Sequence, residues 1–335
     1  MEGYPPNSCT PGTMLEALIH TLECVAILSV LAAVGYFTAK LNWYDAAARS
    51  LIARLVTFVS LPAYLYTSVM EGVTREDLIG FAGPMVLPFV SIWSCFLVSR
   101  IVVRAAKIDR MHSGIFSSAF TATNNMFIGL PVSLALFGTD SVVPTLLYFF
   151  ANTTFFWTMG NYLEAVDGAE ATHGPVVPVF SLTTLKRVFS PPLIGFLGAI
   201  VMILLGLSLP EWLMTSAKYL AGVSTPMALI FIGIMIQEIG LRHIRIHKDL
   251  AWVFAGRFLI CPTVCLALCL VWPDLDPLFM KVYVIQAALP CITQIAVLAK
   301  FHHADVKFAT TAVASTTVFS AATLPVWMIL MTAVI

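Results

Sequence analysis

Two stretches of this chain put a polar cluster and a proline inside segments otherwise apolar enough to cross a bilayer. The first is Thr121-Ala122-Thr123-Asn124-Asn125-Met126-Phe127-Ile128-Gly129-Leu130-Pro131, and the second is Ala288-Leu289-Pro290-Cys291-Ile292-Thr293-Gln294. Backbone amides released inside hydrocarbon must find partners, so an interrupted helix survives only where protein or a wet cavity surrounds it. Two interruptions, one in each half of a membrane protein, point to a transport site.

The rest of the chain fits that setting. Of its 335 residues 59% are hydrophobic and only 11% are charged, with a mean hydropathy of +0.91. Soluble domains carry about 25% charged residues, so the composition describes an integral membrane protein. At about 20 residues per span, ten helices and short loops use the whole length and leave no room for a large soluble domain. A formal net charge of +0 gives no general attraction to nucleic acid. The first apolar run, Met14 to Lys40, is longer than a signal-peptide core and no Lys or Arg precedes it, so it is expected to stay as a span.

The hydropathy pattern predicts spans near 14–38, 50–70, 80–103, 113–138, 141–163, 188–208, 214–238, 249–272, 279–301 and 307–333. A first five-helix repeat is expected over 1–165, a cytoplasmic linker over 166–187 and a second five-helix repeat over 188–335. Lys and Arg favour the cytoplasmic side. With both termini outside, every inner segment holds at least two of them, for example Arg100, Arg104, Lys107 and Arg110. Arg75, Lys218 and Lys281 then lie outside and Arg257 lies within a span. The halves also echo each other. Leu61-Pro62-Ala63-Tyr64-Leu65 answers Thr225-Pro226-Met227-Ala228-Leu229, the run from Asp77 to Pro88 answers Asp249 to Pro262, and Pro131 answers Pro290. Because five spans is an odd number, the second copy enters the membrane upside down, which is the inverted repeat of secondary transporters. The expected fold is therefore all-α, with ten transmembrane helices in two inverted repeats and crossed, broken helices 4 and 9.

Several side chains are candidates for chemistry. Asn124 and Asn125 need partners in an apolar helix and can bond freed backbone groups, a ligand carboxylate, or both. Gly129 and Pro131 weaken the same helix further. Pro290 does so in the second break, where Thr293 and Gln294 supply polar groups. Half-helix N-termini carry partial positive charge, so two of them meeting near mid-depth form an anion cradle without a lysine. Arg257 is the only basic residue deep in a span. It either biases the cavity toward anions or snorkels to the headgroups or pairs with a carboxylate. Glu23, beside His20, is either a proton carrier or a wet residue near a helix end. Asn152, Thr153 and Thr154 make a polar stripe that bonds between helices or lines a cavity. Pro62, Pro88, Pro226 and Pro262 are expected to kink their helices.

No sequence feature calls for a cofactor. The seven cysteines contain no CxxC, and Cys261, Cys265 and Cys269 fall on one helix face as small apolar packing residues. His302-His303 at a span end is not a metal signature. No GxSxG, HExxH, P-loop or GxGxxG occurs in a credible context, so an enzyme is not expected.

At the two breaks, and along nearly all of its length, the chain resembles the auxin efflux carrier family, which includes plant PIN proteins and bacterial organic-acid permeases. The resemblance is carried by LNWYDAAARSLIARLVTFVSLPAYLYTSV, NNMFIGLP, SPPLIGFLGAIVMILLGLSLP, VSTPMALIFIGIMI, ALPCITQIAVLAK and TLPVWMIL. It implies a scaffold of spans 1, 2, 6 and 7, a mobile transport domain of spans 3–5 and 8–10, elevator-type alternating access and a homodimer. It also implies organic-anion substrates, with Asn124 and Pro131 matching the fourth-span Asn and Pro and Pro290 the ninth-span Pro. Where many bacterial members read Asn-Thr-Gly-Phe, this chain has Asn124-Asn125-Met126-Phe127. Where many carry a second Asn after the ninth-span Pro, it offers Thr293 and Gln294. Its short linker sets it with the bacterial branch, in a plasma membrane. The leading expectation is a secondary transporter for a small organic anion such as a carboxylate, bound by Asn124, Asn125, Thr293 and Gln294 with Asn152 and Arg257 nearby. The alternatives are a membrane ligand sensor on a transporter fold and a sodium-coupled carrier of related fold.

Overall fold

The computed structural model describes residues 14–174, 191–239 and 247–334. The linker beyond residue 174, Cys9, Lys186, Arg187, Arg242 and Arg245 lie outside the described residues, as do the side chains of His20, Cys24 and Asp77. The described chain is helical throughout, apart from one isolated antiparallel bridge between Thr123 and Cys291.

Helix α1 is Met14–Lys40 and α2 is Ala46–Gly72, started by the Asp45 carboxylate, which accepts the Ala48 amide at 2.7 Å. Next come α3, Ala82–Ala105, then α4, Ser113–Thr121, and α5, Asn125–Phe137, separated by three non-helical residues. Helix α6 runs unbroken over 142–172. The second half holds α7 (Pro191–Leu205), α8 (Glu211–Gly222), α9 (Ser224–Ile239) and α10 (Lys248–Val271). It ends with α11 (Pro277–Ala287), α12 (Gln294–Phe301) and α13 (Val306–Val334). Among the described residues five helices are long and apolar enough to cross a membrane, with shorter apolar helices beside them.

Prolines shape these helices in two ways. Pro62, Pro131 and Pro262 each follow a π-helical turn, Val56–Ser60, Asn125–Gly129 and Gly256–Ile260 respectively. A proline ring collides with the carbonyl one turn back and lacks an N–H, and one extra residue per turn relieves both problems. Pro88 lies inside α3. Pro226 sits in the first turn of α9, just past the interruption at Val223 that divides the apolar segment Glu211–Glu238 into α8 and α9. Helix α6 departs from expectation, running nine residues past the predicted end of span five.

Close approach of backbones holds one group of helices, α1, α2, α7, α8 and α9, together. A Cβ on Gly233 would strike the Ala32 carbonyl, one on Gly35 the Ile230 carbonyl, and one on Gly195 the Pro62 carbonyl. Small residues at these crossings let the helices pack without lipid between them. Arg49 on α2 pairs with Glu238 on α9 at 2.5 Å. A second group, α3–α6 and α10–α13, surrounds fully buried Phe116, Phe120, Tyr148, Phe155, Phe156 and Tyr283. Cys95, Cys261, Cys265 and Cys269 are free thiols buried in this packing. At one end His112 bonds Asp249 at 3.0 Å and Asp305 at 3.1 Å while stacking on Phe308, tying the α3–α4 turn to the start of α10 and the α12–α13 loop. The two groups meet where α1 and α9 face α5 and α13.

Gly233→Ala is expected to lower the thermal midpoint of the detergent-solubilised protein, at a cost of about 1–3 kcal/mol for overpacking. Gly222→Ala, where an added Cβ meets nothing within 4 Å, is expected to leave it unchanged. Equal midpoints for the two variants would rule out the tight α1–α9 crossing.

Candidate functional site

The two breaks meet. Thr123 and Cys291 pair antiparallel, the Asn124 amide donates to the Pro290 carbonyl at 3.0 Å, and the Ile292 amide donates to the Ala122 carbonyl at 3.2 Å. Each broken strand thereby satisfies part of the other's freed backbone. The outer edges are satisfied by side chains. Asn152 on α6 accepts from the Thr123 amide and donates to the Thr123 carbonyl, both at 2.9 Å. Thr316 on α13 accepts from the Cys291 amide at 3.3 Å and contacts the Cys291 thiol at 3.1 Å. Pro290, which has no amide to satisfy, presents its carbonyl to the pair.

Arg257 lies behind this crossing and is fully buried. Its Nε donates to the Leu289 carbonyl at 3.0 Å, and Nη2 donates to the Ala287 carbonyl. Nη1 donates to Phe120 at 2.9 Å and to Thr121 at 2.6 Å. These four carbonyls close the C-terminal ends of α4 and α11, the negative ends of both helix dipoles. Among the described residues Arg257 forms no ion pair with a carboxylate, and its side chain is sealed in the protein. Its bonded donors are turned to main-chain oxygens.

The opposite, positive ends are the first turns of α5 and α12, which start at Asn125 and Gln294. Between these turns and α9 lies a cleft of ≈ 350 Å³ including its opening. It is lined by Asn124, Phe127, Ile128, Thr293, Val313, Ala314 and Thr317 on one side and by Phe231, Ile232, Met235 and Ile236 of α9 on the other. The Asn124 side chain is only 3% exposed and its Nδ2 has no hydrogen-bonding partner among the described residues. A larger apolar cavity of ≈ 720 Å³ adjoins the cleft and shares Ile128, Ile232, Ile236 and Thr317 with it.

The structure sorts the expected site residues accordingly. Asn124 and Thr293 line the cleft, and the Thr293 hydroxyl donates to Gln294 Oε1 at 3.3 Å. Asn125 is turned away, its Nδ2 donating to Gln286 Oε1 at 2.7 Å. Asn152 has both polar atoms engaged by Thr123, and Arg257 is engaged as described. Gly129 allows the close approach of α5 to α11, because a Cβ there would strike Gln286 and Leu289. Pro131 opens the straight part of α5. Glu23 is exposed on α1, away from the crossing. Sequence reasoning overlooked Gln286, which also donates to Ser133 at 2.9 Å, and Thr316. The signal for Gln286 was a lone amide in an apolar half-helix, eight residues before Gln294.

A model of the family described as membrane transport protein matches residues 20–328. The chain belongs to that family, the auxin efflux carrier group. An uncharacterized transporter of Methanothermobacter thermautotrophicus is 27% identical over 314 residues, covering 92% of this chain and 98% of the relative. An uncharacterized transporter of Methanocaldococcus jannaschii is 20% identical, covering 91% and 97%. A Rhizobium meliloti protein named "Putative malonate transporter" is 24% identical over 295 residues, covering 86% and 89%. Family membership and the apolar helices together make this a multi-pass membrane protein of a transporter family.

Arg257→Met is expected to destabilise the protein strongly, because several buried carbonyls lose their donors at about 1–3 kcal/mol each. Arg257→Lys should recover part of the loss, since an ammonium offers three donors without the planar fork. Thermal unfolding in detergent reads both, and a wild-type midpoint for Arg257→Met would refute the clamp.

Proposed function

We propose that this chain is a secondary transporter, not an enzyme, and that it moves a small organic anion bound at the crossing. The observation that carries the reading is the unpartnered Asn124 Nδ2, buried in a cleft at the positive ends of two half-helices. A buried donor without an acceptor costs about 1–3 kcal/mol, and a carboxylate oxygen removes that cost. The Thr293 hydroxyl stands beside it as a second polar group.

The cleft also narrows the class of anion. Among the described residues no Lys, Arg or His lines it or the adjoining cavity, and most of the cleft's lining is Phe, Ile, Met and Val. One carboxylate can be served by the amide and the helix ends, and an apolar body then fits the rest. A second carboxylate, as in malonate, would find no cation there. We therefore favour a monocarboxylate with an apolar body.

Alternating access follows from the packing. The cleft lies between α9 of the first helical group and the broken helices of the second, so sliding one group past the other would carry the anion across. In this reading the movement is of the elevator type, with α1, α2, α7, α8 and α9 as scaffold and dimer platform. A ten-span inverted repeat is supported by paired roles. Asn152 and Thr316 hold the two broken strands, and Arg257 holds the ends of α4 and α11. The Lys and Arg distribution favours both termini outside, and the resemblance to the bacterial branch favours a plasma membrane.

Counterflow of labelled phenylacetate in liposomes tests the carrier reading: exchange supports it, and binding without exchange would make the protein a receptor instead. Asn124→Ala is expected to weaken phenylacetate binding about tenfold while leaving the thermal midpoint unchanged, since Nδ2 has no protein bond to lose. Unchanged affinity in folded protein removes Asn124 from the site.

A further inference from the structure

Glu164 is a carboxylate that the transport reading leaves unused. It lies on α6, fully buried, and neither of its oxygens has a hydrogen-bonding partner. The Ser118 hydroxyl of α4, also without a bonded partner, faces it. Asp167, one turn further along α6, is placed differently: it accepts the Gly114 and Ile115 amides at 2.9 and 2.7 Å, with His112 and Arg100 near enough to act on it. An unpaired carboxylate sealed from water is costly in its charged form.

Among the described residues the groups around Glu164 do not provide a counter-ion: Arg100 of α3 donates to Ser117 at 3.2 Å and acts on Asp167 instead. Helix α4 offers Ser118 and no titratable side chain. The turn before it offers His112, already held by Asp249 and Asp305, and Arg110, which is exposed. Helix α12 offers Lys300, which is exposed, followed by His302, which bonds Asn161 at 2.8 Å. On α6 itself the neighbours are Asp167 and exposed Glu170. At the crossing, Cys291 lies within electrostatic reach of Glu164. Ser118, which faces Glu164, stands on α4 five residues before Thr123, and Thr123 pairs with Cys291, so α4 links Glu164 to the crossing.

From this placement we infer that Glu164 is a proton site linked to anion binding, so that a carboxylate and a proton are taken up together. The inference rests on the transporter reading above. A carboxylate at Asn124 and an ionised Glu164 repel each other, so each bound anion favours protonation of Glu164 and each proton favours the anion. On the loading side hydronium gives its proton to a Glu164 oxygen and leaves water. On the release side the same O–H bond breaks to water as the anion departs. The linkage has one sign: affinity for the anion rises as pH falls.

Phenylacetate titrations of the full-length protein in detergent test this. For wild type, Kd should fall by up to about tenfold per pH unit lowered while Glu164 titrates. Calorimetry in two buffers of different ionisation heat should show proton uptake on binding. Glu164→Gln, a neutral isostere, should bind with pH-independent affinity, retain counterflow and lose accumulation driven by a pH gradient. Wild-type binding and counterflow without proton uptake would overturn the inference while leaving the carrier reading intact. Absence of carboxylate binding at every pH would overturn both. If Glu164→Gln does not fold, the wild-type proton uptake decides alone.

Discussion

The arrangement depends on one guanidinium binding main-chain oxygens. Two helices that stop inside the protein leave their last carbonyls without intrahelical donors, and hydrocarbon supplies none. Arg257 answers both ends at once, through Phe120 and Thr121 on one side and Ala287 and Leu289 on the other. It also sets a positive charge against the negative ends of two dipoles. An isolated Arg in hydrocarbon is expensive, and two severed helices are expensive, yet each satisfies the other. What remains uncovered is the opposite pair of ends, the first turns of α5 and α12, and these face the cleft. An anion-friendly pocket is thus left over from the way the breaks are closed.

The same economy governs the polar side chains. Asn152, Thr316 and Gln286 all bond to the broken segments rather than to the cavity. They hold the short antiparallel pair in place, which fixes where Asn124 and Thr293 point. The cleft itself is almost wholly apolar, so a bound anion would meet few directed bonds and a large greasy wall. Such a lining selects by shape and by the single charge.

Much of the helix pattern was legible beforehand, because in an apolar chain the punctuation is strong. Pro131 and Pro290 with their polar neighbours marked both breaks, and the helix ends fall near the expected positions. Two placements are not written in the local sequence. The residues from 166 onward read as a cytoplasmic linker, which takes in Asp167 and leaves Glu164 at the end of the first repeat. The fold instead carries α6 onward and packs α4 against it at Gly114, where a Cβ would strike Leu163 and Asp167. Arg257 likewise reads from sequence as a charge biasing the cavity, a snorkelling side chain or half of an ion pair, because sequence names no backbone acceptor for a lone basic residue. Backbone carbonyls carry no sequence signature.

The sequence by itself determined that the chain lives in a membrane, that it breaks twice, and which residue types stand at the breaks. Those properties follow from local composition, from proline's missing amide and from the poverty of partners in hydrocarbon. Tertiary structure alone decided which polar groups were spent and which stayed free. Asn124 and Asn125 are neighbours of the same type, yet one bonds Gln286 from 161 positions away and the other keeps an open donor in the cleft. Partners that distant in the chain are chosen by how helices cross, and no local pattern records the choice.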